Sequence, residues 1–367
     1  MILTVIFYIF VACTAIQIVY YLIFSCVLFS NKNKELHTDT PPISLIIYVK
    51  NSGDYLSKNL KYFKEQNYPN FEILLVNNAS KDNTDDILED IREHDKSIRI
   101  IDVENNESFW GNKKYTYTLA IKAAKHEHLL FSEIDVKPIS KNWILEMSKQ
   151  FSLKKSIVLG YKKYSLKSSL INLVIRLDNL LHTLKSFSFA KFNSGFSASS
   201  KNYAFTKSEF FRVKGFINHI KIREGKDDLF IKDAINNHNI TFSNTEDSFV
   251  ECLEKTSLKQ WFTNKRNQLN LENKYSLKNK FLLFLFSFTK YLTYILCAVL
   301  FFFYPWKHIL LIIISYFVTQ FIVMGIATKK FKEPHLIFLL PVLDIYLVLI
   351  QITIFISNLI SKPSHWK

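Results

Sequence analysis

The sequence predicts an α/β domain, a mostly parallel sheet with flanking helices, set between four transmembrane helices, one before it and three after. Three observations predict it. Residues 2–29 contain no charged side chain, and the run exceeds the ~20 apolar residues that a helix needs to cross a bilayer. Three further apolar stretches, 281–304, 309–327 and 336–360, follow late in the chain, with Pro305 and Pro334 in their connections, where a helix ends without penalty. Between these ends the chain is polar, and short β-branched or aliphatic runs alternate with segments of helical period, as in strands joined by crossover helices.

The elements follow in order. The first apolar run lacks the basic leader and small-residue cleavage site of a secretory signal, so it is expected to be a retained anchor. Residues 31–41 form a polar linker, and residues 42–270 form the domain. Strands are expected at 43–49, 72–76, 98–103 and 128–131, with a fifth around Val158. The first is apolar throughout, as a strand buried on both faces requires. Leu56, Leu60 and Phe63 mark the first helix, a second runs from the 77–82 turn to Ile91, and a third covers 113–125. Leu166, Leu170, Leu173, Leu177, Leu180 and Leu184 make one stripe of a long helix, expected to pack on the sheet or its neighbours. Residues 187–200 read as a Phe/Ser/Gly-rich loop. Residues 257–270 carry an apolar face of Leu258, Trp261, Phe262 and Leu269 flanked by Lys259, Lys265 and Arg266, which reads as an interfacial helix.

The net charge of +15 does not point to nucleic acid, because much of the excess lies beside the apolar spans. Lys32 and Lys34 follow the first span, Lys274, Lys278 and Lys280 precede the second, and Lys329, Lys330 and Lys332 follow the third. One orientation puts all of these in the cytoplasm, with the N-terminus out, the domain in and the C-terminus out. Lys307, Lys362 and Lys367 then lie outside. The location implied is a plasma membrane, crossed several times. Cys13, Cys26 and Cys297 sit in spans and Cys252 in the domain, a distribution that argues against a disulfide framework or a zinc site.

In an open parallel sheet, ligands bind beyond the carboxyl ends of the strands. Polar residues collect there: Lys50, Asn51 and Ser52 after the first strand, Asn77, Asn78, Ser80 and Asp82 after the second, Glu133 and Asp135 after the fourth. Two carboxylates at i and i+2 along extended chain point to one side. Together they suit one hard divalent cation, Mg²⁺ or Mn²⁺. No Gly-x-Gly-x-x-Gly follows the first strand, where the chain reads Lys50-Asn51-Ser52-Gly53, so a dinucleotide oxidoreductase is set aside.

The segments PPISLIIYVKN, EQNYPNFEILLVNNASKDNT and NKKYTYTLAIKAAKHEHLLFSEIDVKP, followed by KNYAFTKSEFFRVKGF, GKDDLF and WFTNKRNQL, resemble in order the motifs of family 2 glycosyltransferases. The resemblance runs from about Pro41 to Leu269. The apolar ends and the terminal ISKPSHWK are similar to a membrane-bound bacterial subgroup. It implies a GT-A (Rossmann-like) fold and inverting transfer of a sugar from a nucleotide-sugar donor to a lipid-linked or other membrane-proximal acceptor, in surface glycan or glycolipid synthesis. It further implies that Lys50, Asn51, Asn77 and Asn78 line the nucleoside pocket and that Lys113 lies near the donor. Asp135 would be the principal metal ligand with Glu133 assisting, Asp227 would hold the catalytic-base position with Asp228 beside it, and Arg266, preceded by Trp261, would approach the diphosphate.

The chain departs from the family pattern at several positions. Asn77 or Asn78 stands where the family has Asp, Glu133-Ile134-Asp135 replaces Asp-x-Asp, Lys226 replaces a Glu, and Asn264-Lys265-Arg266-Asn267 replaces the Gln/Arg motif. A catalytically weakened or dead nucleotide-sugar or lipid-binding subunit is the alternative these changes raise. Lys290 and Asp344 fall inside apolar spans, where ionisable groups pair or serve function. Snorkelling is the plain expectation for Lys290; for Asp344 a partner helix, a lipid-facing groove and a tyrosine partner stand open.

Overall fold

The structure is a computed structural model and describes residues 1–30, 40–104, 113–236, 238–253 and 257–361. Lys32, Lys34, Lys362, Lys367 and the end of ISKPSHWK lie outside the described residues. The chain begins with helix α1 (Ile2–Leu28) and enters the domain through β1 (Ile43–Val49), α2 (Gly53–Lys64), β2 (Phe71–Asn77), α3 (Thr84–His94) and β3 (Ile98–Asp102). Next come α4 (Lys113–Ala123), β4 (His128–Glu133), β5 (Val136–Pro138), α5 (Trp143–Ser148), β6 (Ile157–Leu159) and β7 (Lys162–Tyr164). The second half holds α6 (Leu170–Lys191), β8 (Tyr203–Thr206), α7 (Lys207–Arg212), α8 (Lys226–Ala234), β9 (Ile240–Phe242) and β10 (Val250–Cys252). Helices α9 (Leu258–Glu272), α10 (Leu277–Phe303), α11 (Trp306–Lys330) and α12 (Leu340–Ile360) complete the chain.

The main sheet has the order β3-β2-β1-β4-β8-β6-β9. Strands β3, β2, β1 and β4 are parallel, β8 runs antiparallel between β4 and β6, and β9 is parallel to β6. The parallel part follows the expected strands closely. The antiparallel β8 falls in KNYAFTKSEFFRVKGF, one of the segments that carry the resemblance. A small second sheet, β5-β10-β7, was not legible, because strands of three residues carry too little pattern.

The pleat sorts the core. Ile43, Leu45, Ile47 and Val49 of β1 pack with Leu56, Phe63 and Trp143 on one face. Ile46 and Tyr48 face the other side, into an apolar cluster that continues through α4 and α6 to α1, α10 and α11. Leu177, Leu180 and Leu184 of α6 are buried in that cluster, as the leucine stripe predicts. Leu166 precedes the helix, which starts at Leu170 behind the Ser169 cap (Ser169 Oγ accepts from Asn172 N, 3.2 Å). The helix also runs through Phe187–Lys191, expected as loop. Burial of Phe187 and Phe189 outweighs the modest helix propensity of Phe and Ser, and the turn comes at Asn193, with φ of 53°.

Four helices, α1, α10, α11 and α12, are long and apolar enough to cross a membrane. Helices α1, α10 and α11 pack together. Gln17 Nε2 donates to Phe286 O (2.8 Å) and Thr289 Oγ1 (2.7 Å), and Gln320 Nε2 to Tyr21 OH (2.9 Å). The carbonyls at the end of α1 are met by the domain and by α11: Lys191 Nζ donates to Cys26 O (2.7 Å), Asn244 Nδ2 to Val27 O (2.9 Å) and Lys330 Nζ to Leu28 O (2.6 Å).

Helix α12 is different. It lies along α6 and α9, and both of its approaches are tied to the domain. Just before it, Glu333 is fully buried against Arg176 of α6 (Nε–Oε2 2.6 Å) and Tyr161 (OH–Oε1 3.0 Å). At its end, Arg266 of α9 binds Asn358 Oδ1 (2.8 Å), Ser357 O (3.3 Å) and Ser361 O. Lys290 and Asp344 meet each other, with Nζ 2.6 Å from Oδ1, and Tyr294 OH donates to Asp344 Oδ2 (2.7 Å). Pairing across α10 and α12, rather than snorkelling, therefore satisfies the lysine, and Asp344 has both partners that its position allowed.

Candidate functional site

The carboxyl ends of β1, β2 and β4 form one rim. Asn51 (φ 47°) and Ala79 (φ 47°) turn the chain sharply beyond β1 and β2, and the two turns are laced together. Asn51 N donates to Ser80 Oγ (3.0 Å), Lys81 N donates to Asn51 Oδ1 (2.8 Å), and Ser52 N donates to Thr84 Oγ1 (2.9 Å). A cavity of about 680 Å³ opens over this rim, lined by Tyr48, Lys50, Asn51, Lys113, Glu133, Asp135, Lys162 and Lys201, with Gln260 and Asn264 of α9 on the far wall. Lys50 is held below its ordinary pKa by burial and by the like charges of Lys113, Arg223 and Lys81. Such a wall is short of anions.

Glu133 ends β4 and Asp135 lies in the turn to β5. Lys113 Nζ is 3.0 Å from Glu133 Oε1 and 4.6 Å from the centre of the Tyr48 ring. Lys201, which is nine-tenths buried, reaches between the acids: its Nζ pairs with Asp135 Oδ2 and stands 3.6 Å from Glu133 Oε2. Burial works to raise the pKa of Glu133, but Lys113 and Lys201 outweigh it and hold the carboxyl well below the usual range. The same pairing lifts Lys201 well above its ordinary value against the opposing effect of burial.

The expected divalent cation meets an obstacle here. Glu133 and Asp135 are hard oxygen donors, but an ammonium already lies between them, and among the described residues no group of three or more His, Cys, Asp or Glu stands together. As arranged, this donor set does not fit the ion.

A second pair of acids lies across the cleft. Asp227 and Asp228 occupy the first turn of α8, one and two residues inside its start, behind Gly225 at φ 69°. Glycine is required at this cap, because a Cβ there would also strike Leu271. The loop before it is drawn in by Lys114, whose buried ammonium donates to His219 O (2.8 Å), Ile222 O and Glu224 O (3.2 Å). Burial pushes that lysine down to about 8.

The two acids have different partners. Asp227 pairs with Lys226, whose Nζ also donates to Tyr203 OH (2.8 Å) and sits 3.6 Å above the Tyr117 ring. The lysine that replaces a family acid is thus folded inward and neutralises its neighbour. Asp228 accepts from Ser197 Oγ (2.8 Å), from Ala198 N (3.4 Å) and from Tyr275 OH. Ser197 Oγ is in turn 3.0 Å from His182 Nε2, and Gln268 Nε2 is 3.0 Å from His182 Nδ1. Burial, then the charges of Lys265, Lys185 and Lys162, keep His182 neutral. Donation from Gln268 fixes its proton on Nε2, so the chain of hydrogen bonds runs towards Asp228. Burial pushes Asp228 up to about 6, with Tyr275 and Ser197 opposing.

Two smaller cavities, about 260 and 240 Å³, open on Asp227 and Asp228, and both share Ser200 with the larger one. Lys162 and Lys113 provide further common wall. Of the residues singled out from sequence, Lys50, Asn51, Lys113, Glu133, Asp135, Asp227 and Asp228 line these adjoining cavities. Asn77, Asn78, Trp261 and Arg266 do not. Asn77 braces Asp85 (2.7 Å) and Asp102 (3.0 Å), Asn78 Nδ2 donates to Tyr48 OH (2.8 Å), Trp261 Nε1 donates to Asp178 (3.3 Å), and Arg266 holds α12. Sequence reasoning missed Lys162, Lys201, His182, Ser197 and Tyr275. Only Lys201 carried a signal, as the lone charge in Ser199-Ser200-Lys201-Asn202 before a strand.

Residues 44–208, from β1 into α7, match the family model for glycosyl transferase family 2. The chain carries a family 2 glycosyltransferase domain. Among curated proteins, the glycosyltransferase GlyG of Streptococcus pneumoniae is 29% identical over 93 residues, 25% of this chain and 30% of GlyG. The putative teichuronic acid biosynthesis glycosyltransferase TuaG of Bacillus subtilis is 26% identical over 126 residues, 34% of this chain and 48% of TuaG. The chain thus spans less than half the length of these relatives. Among solved structures, the mannosyltransferase PcManGT from Pyrobaculum calidifontis, in complex with GDP-Man and Mn²⁺, superposes with a TM-score of 0.62 at 14% identity, covering 98% of this chain and 99% of that one. The glycosyltransferase domain has the GT-A fold, and the likeness extends over its apolar helices.

Proposed function

We propose that this chain transfers a sugar, with inversion, from a nucleotide-sugar donor to a lipid-linked or other membrane-proximal acceptor in the synthesis of a bacterial surface glycan or glycolipid. The observation that carries the proposal is a lysine-lined cavity at the strand ends that shares Lys162 and Ser200 with the lining of a second cavity, which holds a half-buried carboxylate of raised pKa. The family match and the GDP-Man bound by the mannosyltransferase support a sugar nucleotide in the larger cavity.

The chemistry follows from the two walls. An acceptor hydroxyl in the smaller cavities gives its proton to Asp228 as its oxygen bonds to the anomeric carbon. The bond from that carbon to the diphosphate oxygen breaks on the opposite face, which inverts the configuration. The electron pair leaves on the nucleoside diphosphate, beside Lys50, Lys113, Lys162 and Lys201, and such fixed charges stabilise the developing anion. Asp228 is assigned as the base in preference to Asp227. Asp227 is already engaged in the Lys226 ion pair, whereas a carboxylate with a pKa of about 6 is ionised at neutral pH and more basic than usual. Mg²⁺ or Mn²⁺, implied by the resemblance and present with the mannosyltransferase, would compete with Lys201 for Glu133 and Asp135, so the steps are written on the lysines.

The membrane helices suit an amphipathic acceptor. Lys278, Lys280, Lys329 and Lys330 lie at the domain ends of α10 and α11, and the positive-inside bias places that side in the cytoplasm of a plasma membrane. Helices α1, α10 and α11 cross the bilayer. Helix α12, at 21 residues and ~1.5 Å per residue, is long enough to cross as well, and the chain before it and its last turn are tied to the domain at Glu333 and Arg266. A reporter fused behind Lys367 is then expected outside the cytoplasm, with alkaline phosphatase activity. A silent fusion would remove the fourth span.

The test of activity is a panel of nucleotide sugars incubated with purified wild type in detergent, with nucleoside diphosphate release measured. Release from one donor, lost in Asp228→Asn, is expected. The Lys226–Asp227 pair favours one alternative, a binding subunit without turnover. Equal background release by wild type and Asp228→Asn, with nucleotide still bound, would establish that alternative.

A further inference from the structure

Resting on that function, we infer that the Lys201 ammonium occupies the place of a divalent cation between Glu133 and Asp135, and that this chain binds the diphosphate of its donor without a metal. The position of Lys201 is built into the fold. Its carbonyl accepts from Ser132 Oγ of β4 (3.1 Å). The next residue, Asn202, is fully buried, accepts from Trp143 Nε1 (3.1 Å) and donates to Tyr161 O (2.8 Å) and Ser248 O (2.9 Å). The backbone that launches the lysine is therefore pinned on several sides, and the side chain is nine-tenths buried along its path to the acids. Its Nζ also lies 3.5 Å from Cys252 Sγ of β10. To admit a cation at the E-x-D edge, this ammonium would have to leave two carboxylates in a buried setting, where separating ion pairs is costly.

The charges of the wall point the same way. Lys50, Lys113, Lys162 and Lys201 stand against Glu133 and Asp135, an excess of two positive charges. A sugar nucleotide carries one negative charge on each of its two phosphates, so the wall as it stands matches the ligand. A divalent ion added to the same cluster would overshoot it. Lysine here performs the charge neutralisation that a cation supplies elsewhere, from a fixed point and with no loss to chelators.

The experiment uses the full chain in detergent, stripped of metal, with UDP, GDP, ADP and dTDP as probes in titration calorimetry. At least one probe is expected to bind with a dissociation constant that changes by no more than about twofold between EDTA and Mn²⁺. The spectrum of free Mn²⁺ in electron paramagnetic resonance is expected to be unchanged by added wild type. Lys201→Ala should bind the same probe about tenfold or more weakly in EDTA, recover with Mn²⁺ and deplete the free Mn²⁺ signal, while Lys201→Arg stays metal-independent. Wild type that loses the probe in EDTA and regains it with Mn²⁺ overturns the inference but leaves the proposed function standing. So does a folded Lys201→Ala that binds as tightly as wild type in EDTA. If no probe binds under either condition, the proposed function itself fails. Should Lys201→Ala not fold, the wild-type comparison decides alone.

Discussion

Two pairs of acids face one another across the cleft, and the fold gives them opposite characters. Glu133 and Asp135 share Lys113 and Lys201, and these charges keep Glu133 ionised far below the usual carboxylate range in spite of burial. Asp228 is half-buried, but its neighbours are hydroxyls and a backbone amide, so burial prevails and its pKa rises to about 6. The same functional group is thus held on one side as a permanent anion beside cations and, on the other, has a pKa close to neutrality. Environments that push titratable groups apart are how one site runs both tasks. Asp227, next to Asp228 in sequence, is tied instead to Lys226.

The largest effect should come from Asp228→Asn, which keeps shape and removes the proton acceptor. Turnover is expected to fall by about 10²–10⁴, with nucleoside diphosphate binding unchanged in calorimetry. A smaller loss than in Asp227→Asn would reverse the assignment of the base. Lys113→Ala acts on the other side. It should weaken nucleoside diphosphate binding by about tenfold, with turnover at saturating donor affected less. The pH profile separates the two pairs in one protein. Because the pKa of Asp228 is raised, its base form is present above about 6 and is lost as the pH falls. Turnover should therefore drop about tenfold per unit below that point, while binding of the diphosphate stays level, since Glu133 remains ionised throughout. Tyr275→Phe should have the smallest effect. It removes a hydrogen bond that favours the ionised carboxylate, so the acidic limb should move upward by a fraction of a pH unit. A downward shift would mean that Tyr275 does not act through Asp228.

Much of this site was legible from the chain alone, for a definite reason. In β1, β2 and β4 the hydrophobic runs end abruptly in polar residues, and in a parallel sheet those ends must face one cleft, so Lys50, Asn51, Glu133 and Asp135 could be placed together before any coordinates. Asn77 and Asn78 stand at an equally good strand end, yet their amides are consumed by Asp85, Asp102 and Tyr48. Strand position gives direction, not availability. Arg266 is similar: its charge and setting suit a diphosphate, and in the structure Asn358 and the carbonyls at the end of α12 engage it.

What the sequence determined by itself is whatever depends on periodicity and on local composition. That covers the alternating strands and helices of the parallel half, the apolar helices, and the helix start at GKDDLF with acids in its first turn. What only the tertiary structure decided is pairing between distant segments. The ammonium of Lys201 meets Asp135, 66 residues away along the chain, Lys290 meets Asp344 across two helices, and Arg176 with Glu333 ties the chain before the last apolar helix to the domain. Periodicity is a property of neighbours in the chain. The partner of a buried charge is chosen by desolvation, which penalises every arrangement that leaves it alone, and that choice is made only once the chain has closed around it.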